Sequence, residues 1–251
     1  MDIPEDLIYE GQFTIRTYEI DPSKKSTVAA LINLMQEAAM QNVINLKYSV
    51  WDMEELNISW VLMRKNLKIL RLPLLGETIR IKTYPAGSDK IFTYRDYHVY
   101  SKDNKLIAQS ASTWLLMNTI ERKIAKIPEN IRLKGEYDVS NCLKHAKNKL
   151  PSINRVDFQK NFIVNWHDLD FNEHLSNIRY MQWIFETVDY YIENKGKLEE
   201  LDIVYKLECR WKDTVQVNTQ KINNHLYLHK LLRLSDNALI AQAQTRWEVY
   251  L

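Results

Sequence analysis

Apolar positions along this chain change period twice, in the same order. "GQFTIRTYEI" is rich in β-formers and predicts a strand, which Asp21 and Pro22 break. Behind the break, Val28, Leu31, Ile32, Met35, Ala38, Ala39, Val43 and Leu46 keep helical spacing. Ser26 is the expected N-cap, because its hydroxyl can accept a free first-turn amide. Strand-like runs follow: "ISWVLMRKNLKIL", "TIRIKTY", "IFTYRDYHVYS" and "LIAQSASTWLLMN", with turns at "LGE" and "SDK". "TIRIKTY" alternates apolar and polar, as a strand with one wet face does.

The second half repeats the order. "NFIVNWHDLD" predicts a strand with Phe162, Val164 and Trp166 on one face. A helix over about residues 173 to 192 carries the stripe Leu175, Ile178, Met181, Phe185, Val188 and Ile192. Then come "DIVYKLECRW", "TVQVNTQKI", "HLYLHKLLRL" and "ALIAQAQTRWEVY". The closing strands rhyme: Ala108-Gln109 precedes Trp114 as Ala241-Gln242 precedes Trp247. One strand, one long helix and four strands, twice over, is a repeated supersecondary unit. The fold class is therefore α+β, each unit an antiparallel sheet wrapped around one dry helix whose N-terminal end sits where the sheet opens. We expect an N-terminal unit over 1–120, a linker over 121–150 and a C-terminal unit over 151–251. The linker holds eight Lys or Arg against four Asp or Glu, which suits a solvated connector or a docking patch for an acidic partner.

Bulk properties exclude several classes. The 251 residues are 45% hydrophobic, enough for a full core, and the net charge of +2 lacks the basic excess of a dedicated nucleic-acid binder. No apolar run approaches the roughly 18 residues of a membrane span. "MDIPEDLIYE" lacks signal-peptide layout, and two cysteines, Cys142 and Cys209, make a disulfide framework improbable, so a reducing cytoplasm is the expected location. Neither GxGxxG nor GxxxxGK[ST] occurs, which leaves phosphate-cradling loops without support.

"DLDFNEH", residues 168 to 174, gathers three carboxylates, an amide and an imidazole where the second helix begins. Asp168 is read mainly as a turn-binding carboxylate. Asn172 by itself suits an N-cap, and His174 by itself an ordinary, partly buried histidine. His167 and His174 with two aspartates hint at a metal, but no third imidazole or Cys cluster is near in sequence; no metal and no cofactor are expected. Along "YKLECRW", an unbulged strand puts Tyr205, Leu207, Cys209 and Trp211 on one side and Lys206, Glu208 and Arg210 on the other. Cys209 then falls in the apolar set, as a buried, inert thiol, and Glu208 in the polar set.

The repeat together with "DLDFNEHLSNIRYMQW" resembles the acyl-acyl carrier protein thioesterases, double hotdog enzymes of bacteria and plant plastids. The resemblance covers nearly the whole chain and is carried by the triplet Asp170, Asn172 and His174, by "IRTYEIDPSKKSTVAALINLMQEAAMQN", and by "LECRWKDTVQV". It implies a tandem double hotdog that hydrolyses fatty acyl-acyl carrier protein, releases free fatty acid, and so terminates or diverts fatty acid synthesis. It places functional residues at Glu208 and Cys209, with a Cys–His–Asn arrangement as one version of the chemistry. Ser176 departs from the paired asparagines common after the histidine, while Asn177 keeps the second. The lack of a transit-like extension points to the bacterial type. The implied partner is an acidic acyl carrier protein bearing an acyl-phosphopantetheine, with Lys144, Lys147 and Lys149 as docking candidates; monomer and homodimer are both compatible.

Thioester hydrolysis needs a polarised carbonyl, an activated nucleophile and a proton for the departing thiolate. Helix N-terminal amides suit the oxyanion. His174 suits proton transfer, and Asn172 holds a water or the histidine. Asp170 activates water, orients it, or attacks directly. Glu208 is preferred over Cys209 as the general base or water-orienting group. The first unit reads "EIDPSKKST" at the matching place, without histidine, so one active site per chain is expected. Its Met35, Ala38 and Ala39, by default core residues, are candidates to line an acyl pocket, where each buried substrate CH₂ is worth about 0.8 kcal/mol. Competing readings are an acyl-CoA thioesterase, a hotdog dehydratase and a non-catalytic acyl-binding protein.

Overall fold

A computed structural model describes residues 3–132, 143, 145–188 and 196–249. The chain forms two compact units, Met1–Ala146 and Lys147–Leu251. In the first, β1 (Tyr9–Thr14) precedes the long helix α1 (Val28–Asn45) and the short helix α2 (Val50–Glu54). Then come β2 (Ile58–Ile69), β3 (Thr78–Ser88), β4 (Phe92–Tyr100) and β5 (Leu106–Asn118), and the single-turn helix α3 (Glu129–Arg132). The second unit has β6 (Phe158–Ile163), α4 (Asn177–Phe185), β7 (Gly196–Tyr205), β8 (Thr214–Lys221), β9 (Leu226–Arg233) and β10 (Ala238–Val249). Strand order is β1-β3-β4-β5-β2 in the first unit and β6-β8-β9-β10-β7 in the second, antiparallel throughout. The β-α-β4 unit expected from periodicity is present twice. None of the described helices is long and apolar enough to cross a membrane.

Helices α1 and α4 each bury an apolar face. Leu31, Ile32, Met35 and Ala38 of α1 and Met181, Ile184 and Phe185 of α4 are almost wholly inaccessible, whereas Ala39 is only half-buried. The N-cap of α1 is Thr27, not Ser26: the Thr27 hydroxyl accepts the Ala30 amide at 3.0 Å. Ser26 is buried and donates its amide to the Pro73 carbonyl, so it is committed to tertiary structure. Helix α4 starts at Asn177, four residues later than its apolar stripe suggested. The expected end near residue 192 lies outside the described residues. "NFIVNWHDLD" is a strand only to Ile163. Asp168 accepts the Asn165 amide at 2.8 Å and turns the chain, so Val164 is buried while Trp166 is 62% exposed.

Local geometry repeats residue for residue. The bridge Ile20–Ser26 matches Leu169–Leu175, with left-handed Lys24 and Glu173 inside the two loops. Left-handed Gly76 matches Lys212, and the Glu77 carboxylate accepting the Leu74 amide matches Asp213 accepting Arg210. Trp114 and Trp247 each donate the indole N–H to a hydroxyl two residues earlier, Ser112 and Thr245.

The units differ in what they bury. Under α1, Arg95 donates to Asn42 at 2.7 Å, and Lys65, 2% exposed, lies 4.6 Å from the Tyr97 ring centre with its amine pushed down to about 7 by burial. In the second unit His229 is wedged between the Thr219 and Thr245 hydroxyls, 2.8 Å from each, and burial pushes its imidazole down to about 3. A histidine held neutral this way stabilises the fold above the unfolded value near 6.5, and that stabilisation is lost as pH falls toward 3, because only the unfolded chain then takes up the proton. Between pH 7 and 4.5 this contribution falls by about 3 kcal/mol. Urea unfolding of wild type and His229→Gln at the two pH values checks it: the wild type is expected to lose more stability on acidification, and equal losses contradict the assignment.

Candidate active site

Asp170 builds a loop from its own backbone. Its amide donates to the His174 carbonyl at 2.8 Å, and its Oδ1 accepts the amides of Asn172 at 2.9 Å and His174 at 3.2 Å. Collecting those amides curls residues 170–174 into a closed turn, for which Glu173 adopts φ 61°. Asp168 ties the loop to the helix: its carbonyl takes the Ser176 amide and its Oδ1 pairs with Arg179 Nε at 3.0 Å. Its expected role in the turn is the one observed. His174 therefore stands on a braced loop before the helix rather than in its first turn.

The facing loop comes from the exit of β7. After Tyr205 the amides of Lys206 and Leu207 both donate to the Ile240 carbonyl, and the chain leaves the sheet. The face count along "YKLECRW" fails for that reason. Tyr205 and Cys209 are buried, but Leu207 and Trp211, assigned to the same side, are about half exposed. The Cys209 carbonyl accepts the Leu175 amide at 2.8 Å and draws the two loops together. Glu208 and His174 then meet, with Oε2 and Nε2 2.9 Å apart and side chains 36% and 20% exposed.

Among the sequence candidates, His174 and Glu208 are in direct contact, and Asp170 shapes the backbone beneath them. Asn172 contributes its amide to that loop, and its side chain is exposed. It is not the N-cap, which is Ser176. Cys209 is fully buried, and burial pushes its thiol up to about 11, with Asp213 adding to the shift. Beside it the Tyr180 hydroxyl donates to the Leu207 carbonyl at 3.3 Å. His167 is exposed on the preceding turn. No group of three His, Cys, Asp or Glu among the described residues could hold a metal.

Backbone donors near His174 are largely spent, those of residues 172, 174, 175 and 176 all having acceptors. The first turn of α4 differs, since Ser176 makes no side-chain cap bond, in contrast to Thr27 on α1. In the first unit Lys25 occupies the position of His174. The Ser26 amide bonds Pro73 there as Leu175 bonds Cys209, which sets Leu72 opposite Glu208. Sequence reasoning missed Arg233, whose Nη1 donates to the Glu208 carbonyl at 2.8 Å. Its only local signal was the Arg-x-x-Asp spacing to Asp236.

Both halves of the chain match known proteins. Residues 6–134 match the acyl-ACP thioesterase N-terminal domain and residues 152–249 the acyl-ACP thioesterase C-terminal domain. The chain is 28% identical over 267 residues to a chloroplastic palmitoyl-acyl carrier protein thioesterase of Gossypium hirsutum, covering 98% of this chain and 65% of that protein. It is 27% identical over 261 residues to a chloroplastic dodecanoyl-[acyl-carrier-protein] hydrolase of Cinnamomum camphora, covering 97% and 68%. Among solved structures, the 12:0-ACP thioesterase from Umbellularia californica superposes with a TM-score of 0.86 at 24% identity, over 97% of this chain and 98% of that one. An acyl-ACP thioesterase from Bacteroides thetaiotaomicron gives 0.83 at 19%, over 97% and 99%. These likenesses establish the double hotdog fold.

Proposed function

This chain belongs to the acyl-ACP thioesterase family, and on that footing we propose that it hydrolyses the thioester of fatty acyl-acyl carrier protein, releasing free fatty acid. The observation that carries the reading is the His174–Glu208 contact at 2.9 Å. In this proposal the cycle starts with the exchangeable proton on His174 and none on Glu208. Glu208 takes a proton from water as its oxygen adds to the thioester carbon. The oxyanion faces the uncapped amides that open α4. His174 gives its proton to sulfur as the C–S bond breaks, and the proton on Glu208 then returns to His174 across their contact. Water and thioester become acid and thiol with no residue altered.

Asp170 is assigned the scaffold role, because Oδ1 is committed to two amides, and Asn172 is assigned to hold the attacking water. Cys209 takes no chemical part. A cytoplasmic location fits the cysteine-poor composition, a role in fatty acid synthesis follows from the family, and the basic residues Lys147 and Lys149 remain docking candidates for the acidic carrier; Lys144 lies outside the described residues. Thiol release measured across acyl-carrier-protein and acyl-CoA substrates of graded chain length tests the proposal. Faster turnover of the carrier thioesters is expected. Preference for the CoA thioesters would move the assignment to an acyl-CoA thioesterase, and silence across the panel would remove it.

A further inference from the structure

Glu208 lies outside any strand, so something other than a sheet ladder must fix its reach. The preceding amides of Lys206 and Leu207 share the Ile240 carbonyl, and the following Cys209 carbonyl is held by Leu175. The Glu208 carbonyl itself receives Arg233 Nη1 at 2.8 Å. The other edge of the same guanidinium grips Asp236, with Nε 3.1 Å from Oδ1 and Nη2 2.6 Å from Oδ2. Three donors of one rigid plane are thus used on two partners, and Asp236 is itself anchored by the Ala238 amide at 3.2 Å. We propose that Arg233 is a positioning residue: braced on Asp236, its guanidinium sets the Glu208 peptide so that the carboxylate meets His174.

The internal repeat separates this role from hairpin closure. Arg233 ends β9 opposite Val215, and continuing the β3–β4 register by one residue puts Ser101 at the corresponding place in the first unit. There the Ser101 hydroxyl accepts the Lys105 amide at 3.2 Å and closes a turn one residue shorter, with left-handed Asn104 where the second unit has left-handed Asn237. The first-unit hairpin thus closes without a guanidinium. The unit that carries Arg233 is the one that carries the His174–Glu208 pair, and the unit with Ser101 has Lys25 and Leu72 instead.

The inference rests on the hydrolase reading, so its test carries a control for that reading. Arg233→Met, Arg233→Lys and Asp236→Asn are compared with wild type and His174→Ala in steady-state thiol release, and His174 is titrated by NMR in wild type and in each Arg233 and Asp236 variant. Arg233→Met is expected to lower kcat about thirtyfold with little change in KM, since displacing a reacting group by about 1 Å can cost that much. Arg233→Lys should recover only part, because one ammonium cannot serve both partners in the fork geometry. Asp236→Asn should fall between. His174 should titrate at lower pH in Arg233→Met than in wild type, having lost its facing carboxylate. A purely structural arginine would lower the melting temperature and leave that titration unmoved. Wild-type kcat and an unmoved titration in Arg233→Met, with His174→Ala inactive, overturn the inference. If Arg233→Met does not fold, Arg233→Lys and Asp236→Asn decide by the same two readouts. Activity retained in His174→Ala would sink the hydrolase reading instead, and the titration would still report on the guanidinium.

Discussion

His174→Ala is expected to lower kcat/KM for acyl-carrier-protein hydrolysis by about a thousandfold, within the range for loss of a positioned acid–base group. The side chain is partly exposed, and the loop beneath it is built by Asp170 and by backbone hydrogen bonds of residues 170–175, so the fold should survive. Stopped assays of thiol release read the effect, and an unchanged circular dichroism spectrum excludes unfolding as its cause. A variant that kept a tenth or more of wild-type kcat/KM would remove His174 from the reaction. The loss should fall mainly on kcat, because protonation of the leaving sulfur belongs to the transition state and not to substrate binding.

Glu208→Gln and Cys209→Ala, at adjacent positions, should behave oppositely. The amide keeps the size of Glu208 but cannot take a proton from water, and a loss of roughly a hundredfold or more in kcat is expected. Cys209→Ala should keep most of the activity and cost about 1 kcal/mol of stability through lost packing. The physical ground is protonation: a thiol pushed up to about 11 is ionised in roughly one molecule in ten thousand at neutral pH. It also lies out of solvent, beside Tyr180 and Arg233. Parallel kinetics on the two variants decide between a carboxylate base and a sulfur nucleophile. An inactive but folded Cys209→Ala alongside an active Glu208→Gln would reverse the assignment.

Much of this site could be read before any coordinates, because its signal is local. A turn that collects Asp, Asn and His within five residues needs only short-range hydrogen bonds, and Asp170 supplies them. The burial of Cys209 is also legible in the sequence, although strand alternation is not what buries it. β7 ends at Tyr205 and leaves neither Glu208 nor Cys209 in a ladder. The start of α4 was misplaced for a related reason. Leu175 continues the apolar stripe of the helix in sequence, but its amide is spent on Cys209 and its neighbour Glu173 is left-handed, so the helical ladder cannot yet begin.

By itself, then, the sequence determined the double β-α-β4 architecture, the dry face of each helix and the loop that holds His174. Periodicity and turn chemistry encode these within a few residues. Tertiary structure alone decided that Glu208 meets His174, that Cys209 is sealed beneath them, and that Arg233 braces the peptide between. Those contacts join residues 25 to 34 positions apart, and two of the three, Leu175 to Cys209 and Arg233 to Glu208, run through backbone carbonyls, which every residue type possesses and no one-dimensional pattern can single out.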